Sequence, residues 1–375
     1  ICNKASRYQL FDAIRALPGS FKLFACIFLL SAVVSTLYSP ILRSSLGILK
    51  GWIIVPMLFG LLAHAASTRP GFRLSGRNDT ADHILRSLVL SGLVVALLGI
   101  SQIDGLSRIQ SIYDVPNSLA LFLVPVFIIA AWTGVQQKNR LYQLSSLIML
   151  IAIIATQSFG AIVAIVGTVV VAVPLSQFWE RAMQYRVAFL FLVAIILFFT
   201  LSGRTAYLIS PLIHPNTTNS ATVRLQLWDI GIRLIKNHPI LGIGLGQFEP
   251  AYQAELHSLF AQQANEASEA NAARTYRLQP EYVFRDPHNW ILSFWLNIGL
   301  IGLISFIGLN YLAIIRGFTL SERSESKGGD LESEQIYRQA TTLALISMLI
   351  FGLFDTIYWK NDLSALWWMF VIFLL

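Results

Sequence analysis

The chain predicts an all-α fold: a polytopic bundle of transmembrane helices with one long external helical loop. Three observations carry that prediction. Of 375 residues, 55% are hydrophobic and 13% are charged, against about one quarter charged in an ordinary soluble domain, which excludes a water-soluble globule. The apolar residues are also clustered, because residues 23–42, 51–68, 87–103, 115–137, 141–179, 187–203 and 287–315 contain no Asp, Glu, Lys or Arg. Roughly 20 apolar residues cross the hydrocarbon core of a bilayer as a helix. Finally, the basic residues are distributed unevenly among the segments between these runs.

Taken in order, the runs predict ten helices: 22–39, 46–66, 85–103, 117–134, 141–156, 160–178, 186–203, 288–315, 338–357 and 362–375. The run 141–179 is too long for one helix and divides at the polar stretch Thr156, Gln157, Ser158, a tight re-entry on one membrane face. The chain therefore falls into N-terminal transmembrane helices (1–203), an external loop with amphipathic helices (204–286) and C-terminal transmembrane helices (287–375). It begins with Ile1 and stops at Leu375 within an apolar run, 363–375, too short to cross. The expectation is a fragment lacking sequence at both ends.

Orientation follows from basic residues in short loops. With the first residues cytoplasmic, the inner segments hold Lys4, Arg7, Arg15, Lys22, Arg69, Arg73, Arg77, Arg86, Lys138, Arg140, Arg181, Arg186, Arg316, Arg323, Lys327 and Arg338. The short outer loops and their edges hold Arg43, Lys50, Arg108 and Lys360. This bias puts the long loop on the outer face of a multi-pass membrane protein. The net charge of +7 then reflects topology and contact with membrane lipids, and nucleic acid is not an expected partner. Two cysteines, Cys2 and Cys26, make no metal cluster, and His214, His238 and His257 are scattered along the loop without ligand spacing. No metal and no cofactor are expected.

The long loop balances its basic residues with Asp229, Glu249, Glu255, Glu266, Glu269, Glu281 and Asp286, so particular residues have to matter. Residues 220–236 have a helical period, with Ser220 or Thr222 as N-cap and Asn237-His238-Pro239 as stop. Arg224 and Trp228 share one face at i, i+4. Two readings stand side by side: an interfacial helix whose Trp sits at headgroup level while its Arg snorkels, and an Arg that grips a phosphate with its planar fork. Glycines at 242, 244 and 246 read as a close backbone turn, since a dinucleotide fingerprint requires a βαβ context. Residues 250–273 suit a surface helix or flap.

Arg285-Asp286-Pro287-His288-Asn289-Trp290 is the most informative segment. Asp286 reads as an N-cap and Pro287 as the first helical residue, which puts His288 in the first turn, where the helix dipole favours an anion and a neutral imidazole. A neutral His beside a phosphate can take a proton from an incoming hydroxyl; equally, it can be a capping-turn His bonded to backbone. Arg108, Asn117 and Arg204 are further outer-face candidates, each with a snorkelling or helix-start alternative. Asp355, near the outer end of the ninth helix, pairs with an Arg or caps.

These residues together resemble the O-antigen ligase family of membrane proteins, which share a core with O-antigen polymerases. The resemblance rests on Pro116-Asn117-Ser118-Leu119-Ala120, Arg224 with Trp228, His238-Pro239-Ile240-Leu241-Gly242-Ile243-Gly244-Leu245-Gly246, Pro287-His288-Asn289, Gly299-Leu300-Ile301-Gly302 and Phe354-Asp355. Members commonly have about twelve spans, the long loop following the ninth; here it follows the seventh. The resemblance implies transfer of a glycan from a polyprenyl diphosphate-linked donor to a lipid or protein acceptor, by a metal-independent inverting glycosyltransferase. It implies His288 as the catalytic residue and Arg224 as a diphosphate-binding residue, with Arg204, Arg108 and Arg285 as further diphosphate contacts and Asn117, Trp228, Asn289 and Asp355 in support. One departure stands out: many relatives carry an Arg after the Ser of the turn between the fifth and sixth helices, where this chain has Ser158-Phe159-Gly160. The alternatives are a polymerase using the same donor, or a small-anion transporter. The transporter requires buried charges near the midplane, which only Lys50 approaches.

Overall fold

A computed structural model describes residues 11–12, 14–67, 79–104, 107–175, 220–265, 284–324 and 329–375. Among them the regular elements are all helical. They are α1 (Gly19–Tyr38), α2 (Leu42–Ile48), which passes through one π-helical stretch (Leu49–Ile54) into α3 (Val55–Ser67), α4 (Asp79–Ile100), α5 (Pro116–Gln136), α6 (Arg140–Thr156) and α7 (Phe159–Leu175). After these come α8 (Ser220–Asn237), α9 (Phe248–Asn265), α10 (Trp290–Ser324), α11 (Gly329–Phe351) and α12 (Asn361–Phe373). The helix expected at 186–203 lies outside the described residues, as do Arg204, Arg274 and Arg277.

Among the described residues five stretches, rather than the ten spans expected, are long and apolar enough to cross a membrane: Gly19–Tyr38, Leu42–Ala66, His83–Ile100, Pro116–Gln136 and Trp290–Thr319. Arg140–Thr156, Phe159–Ala172 and Asn361–Phe373 are shorter apolar helices. The chain is a membrane protein, and its outward surface agrees: on α1, Leu23, Leu30 and Leu37 repeat every seventh residue and are 57% or more exposed, while Phe28 and Ala32 on the opposite side are fully buried. Such a stripe is costly in water and at home in lipid. Lys50, in the π-helical stretch, is exposed rather than buried.

The core lies where α1, α5, α10, α11 and α12 meet. Its centre is aromatic. Phe294 stacks on Phe306 at 3.8 Å and Phe306 on Trp367 at 4.7 Å, with Tyr358 edge-on to Phe306 and Trp368 edge-on to Trp367, and Phe28 edge-on to both Tyr358 and Trp368. In lipid, helix association depends on such dispersion packing and on interhelical hydrogen bonds rather than on expulsion of water. Trp367 Nε1 donates to Asn310 Oδ1 at 3.0 Å and Trp368 Nε1 to the Tyr358 hydroxyl at 2.9 Å, so these buried donors are paired. A second cluster joins α8 and α9 to α10 through Leu227, Ile230, Phe248, Tyr252 and Leu296.

The loop between α8 and α9 is stitched into a break in α10. Gly299 has φ +73 and ψ 178, so the ladder fails there. The N–H of Leu300 donates to Ile240 O at 2.9 Å, and Leu296 O accepts the N–H of Ile243 at 2.9 Å. Two groups released by the broken helix are thereby satisfied by the loop, as buried backbone requires. A Cβ on Gly299 would lie 2.2 Å from Ile240 O, and one on Gly242, at φ +71, 2.3 Å from Leu296 O. The close turn expected from the three glycines is this docking segment. Trp295 Nε1 bonds Pro239 O at 2.7 Å, and the Gly246 N–H bonds Asn297 Oδ1 at 2.7 Å.

Several helix ends differ from expectation: α10 runs on to Ser324 rather than 315 and α11 begins at Gly329 rather than 338, and two differences bear on the site. Asn289, not Asp286, is the N-cap of α10: its Oδ1 accepts from the N–H groups of Ile291 (3.0 Å) and Leu292 (3.2 Å). His288 therefore precedes the helix, in the left-handed region at φ 49. The helix expected to run to 357 stops at Phe351, because Gly352 turns the chain and its carbonyl accepts the Trp290 N–H at 2.8 Å. A Cβ on Gly352 would lie 2.7 Å from both Ile357 and Trp290, so glycine permits this approach. Asp355 consequently lies in the 352–360 loop. The tight turn expected at Thr156-Gln157-Ser158 is present, with Gln157 left-handed at the end of α6.

Candidate active site

Four segments converge around His288: its own loop 284–289, the loop 352–360, the start of α5 with the preceding loop, and α8. His288 Nδ1 lies 3.0 Å from Asp355 Oδ1. A carboxylate only accepts, so Nδ1 carries a proton and donates; Nε2 has no protein partner among the described residues. The backbone fixes this pair on both sides. Asp286 Oδ1 accepts the His288 N–H at 2.9 Å and also the Thr356 hydroxyl, while Asp355 Oδ1 accepts the Thr356 N–H at 2.8 Å. Asn289 Nδ2 donates to Leu353 O at 3.1 Å, tying the two loops together. Phe284 packs edge-on against the imidazole, with ring centres 5.6 Å apart.

The other carboxylate oxygen continues the network. Asp355 Oδ2 accepts from Asn117 Nδ2 at 3.1 Å, and Asn117 Oδ1 accepts from Arg108 Nη2 at 2.9 Å. Arg108 Nε donates to Thr156 O, the last carbonyl of α6, at 2.8 Å. A relay thus runs Arg108–Asn117–Asp355–His288 across residues 248 positions apart at its extremes of Arg108 and Thr356, with Thr356 completing it. Arg224, half-buried in the first turns of α8, donates through Nε to Phe354 O at 2.9 Å and through Nη1 to Ser220 Oγ at 2.6 Å. Nη2 remains without a protein acceptor among the described residues, which suits a guanidinium that also serves an external anion. Phe159 packs edge-on to Phe354, with ring centres 6.0 Å apart. Arg108 anchors to the same turn through Thr156.

The electrostatics overturn one expectation. Burial pushes the His288 pKa down, but the Asp286 and Asp355 carboxylates and the Asp355 hydrogen bond outweigh it and hold it up at about 9, with Arg224 opposing. Imidazolium is therefore the resting form at neutral pH, not the neutral ring expected from the helix dipole, because two acids sit closer than the helix end. Burial pushes the Asp355 carboxyl up. The His288 charge and hydrogen bond, the Thr356 N–H and Arg224 pull it lower, to about 2.

The expected site residues divide accordingly. The structure brings His288, Asp355, Asn117, Arg108 and Arg224 together, with Asn289 bracing the loops. Arg285 is 90% exposed at its side chain and meets Glu249 at 4.0 Å, outside the relay. Trp228 belongs to the α8–α9 cluster, where its Nε1 is buried with no acceptor among the described residues, rather than to the His288 network. Arg204 lies outside the described residues. Asp286 and Thr356 were missed as network members: Asp286 carried only a capping signal and Thr356 none beyond standing next to Asp355. Among the described residues no group of three or more His, Cys, Asp or Glu is placed to hold a metal ion.

The curated proteins compared with this chain include no match. A family model described as O-Antigen ligase matches residues 144–307, which take in Arg224, Asp286, His288 and Asn289, while Arg108, Asn117 and Asp355 flank the match. Over residues 144–307 the chain is thus similar to the O-antigen ligase family, whose field is membrane glycosyl transfer in polysaccharide biosynthesis.

Proposed function

We propose that the chain transfers a glycan from a polyprenyl diphosphate carrier to a hydroxyl of a lipid or protein acceptor at the outer face of the bacterial cytoplasmic membrane. The observation that carries this reading is the His288–Asp355 pair held beside Arg224. Neutral His288 takes the acceptor hydroxyl proton on Nε2 while Nδ1–H stays on Asp355. The acceptor oxygen then bonds to the anomeric carbon as the bond from that carbon to the diphosphate oxygen breaks. The departing diphosphate keeps the electron pair, and its charge falls to Arg224 and Arg108. Attack opposite the leaving group inverts the anomeric carbon. The basic residue bias supports an outward-facing site, since it favours an external 204–286 loop, which carries Arg224 and leads directly into His288.

The test is purified full chain in proteoliposomes with carrier-linked glycan and an acceptor. Formation of a glycosylated acceptor of inverted configuration, with release of polyprenyl diphosphate, is the expected outcome. Hydrolysis or export of the glycan without transfer would contradict the reading.

A further inference from the structure

A fourth cation stands beside the relay and takes no part in it. Lys360 closes the 352–360 loop, immediately before α12, and its ammonium donates to the hydroxyl of Ser118. Ser118 follows Asn117 on α5 and is 4% exposed, so the lysine head reaches an interior position next to the residue that holds Asp355. Among the described residues no carboxylate lies within ion-pair distance of Lys360. Asp362, the nearest acid in sequence, hydrogen-bonds Tyr113 instead. Trp359, the preceding residue, is 6% exposed and its indole N–H has no acceptor among the described residues. A half-buried ammonium served only by a hydroxyl is poorly compensated, because desolvation of the charge is repaid mainly by an anion.

We infer that Lys360 is a further anion-contacting residue of this site, taking a phosphate oxygen of the donor. The assignment rests on the donor being a polyprenyl diphosphate. Arg108, Arg224 and Lys360 stand around the His288–Asp355 pair, a cluster of positive side chains that suits a diphosphate. A lysine provides a point charge rather than a fork, so it is suited to following a leaving group whose charge grows during bond breaking.

The experiment compares the full-length purified protein with Lys360→Gln and Lys360→Arg, measuring binding of polyprenyl diphosphate against the uncharged polyprenol. Both variants can still donate to Ser118, and only the arginine keeps the charge. Lys360→Gln should bind the diphosphate about tenfold or more weakly, with polyprenol binding unchanged and KM for the carrier-linked donor raised; Lys360→Arg should stay within a few-fold of the parent. Equal diphosphate binding by the parent and Lys360→Gln would overturn the assignment, and so would equal losses in both variants. A parent protein that binds no polyprenyl diphosphate would overturn the donor reading itself, and the Lys360 assignment with it.

Discussion

Replacing Asp355 with Asn removes one charge from the imidazole while keeping a side chain of the same shape at 3.0 Å from Nδ1. The raised His288 pKa, from 6.5 to about 9, corresponds to roughly 3 kcal/mol of net preference for imidazolium at about 1.36 kcal/mol per pH unit. Asp286 supplies part of that preference from 3.7 Å and survives the substitution; the shorter contact to Asp355 and its hydrogen bond are lost. The parent enzyme holds only about one His288 in a hundred as the free base at pH 7, so transfer should rise about tenfold per pH unit and level off near pH 9. In Asp355→Asn that limb should move at least about one unit toward acid. Its plateau should fall by about a hundredfold or more, because the ring is no longer held in the tautomer that leaves Nε2 as base. The assay is initial transfer rate against pH with saturating carrier-linked donor, at protein levels equalised by detergent chromatography. A limb unmoved in Asp355→Asn would show that it belongs to another group and would refute the pairing as the source of the base.

Three further outcomes are expected. Arg224→Lys keeps a charge but loses the bonds to Phe354 O and Ser220, and transfer should fall about ten- to hundredfold for roughly 1.5–3 kcal/mol with unchanged abundance; unchanged transfer would leave Arg224 a structural residue. Gly299→Ala forces an L side chain into the left-handed region, costing about 1–2 kcal/mol before the clash with Ile240 O, so thermal stability in detergent should drop and the 239–247 loop should become open to protease; a fully stable variant would contradict the stitched helix break. The His288–Asp355 pair is one interaction seen from both partners, and its contribution to stability is whole only between about pH 4 and 6.5. It is lost as pH rises through about 9, where His288 deprotonates, and as pH falls through about 2, where Asp355 protonates. The alkaline fall in melting temperature should therefore shrink in Asp355→Asn, and an identical fall would remove the pair from the stability account.

Much of the bundle was legible because charge-free runs and their length constrain any helix in lipid, and Ser220–Asn237 could be read from its period and stop signal. Helix ends were less legible where tertiary contacts chose between competing local signals. Asp286-Pro287 is a sound helix start taken alone, yet Asn289 wins because Trp290 N–H is spent on Gly352 O and Asp286 is spent on Thr356 and the His288 backbone. Gly299-Leu300-Ile301-Gly302 was visible as a motif but the break at Gly299 was not, since its stabilising partners are Ile240 and Ile243, more than fifty residues away. Within the site, His288, Arg224, Asn117 and Asp355 were each visible as motif residues. Their order in the relay was not, because sequence spacing says nothing of which carboxylate oxygen meets which donor. The imidazole's protonation failed for the same reason: the helix dipole was local and visible, whereas Asp355 arrives from 67 residues away.

The most direct test is single-turnover transfer by His288→Ala beside the parent chain, with carrier-linked glycan, acceptor and a chelator present in both. The account predicts that the parent transfers with chelator, and that His288→Ala binds polyprenyl diphosphate but transfers at about one hundredth of the parent rate or less. Full transfer by His288→Ala would contradict the base assignment. Parent activity abolished by the chelator and restored by a divalent ion would contradict the metal-free mechanism.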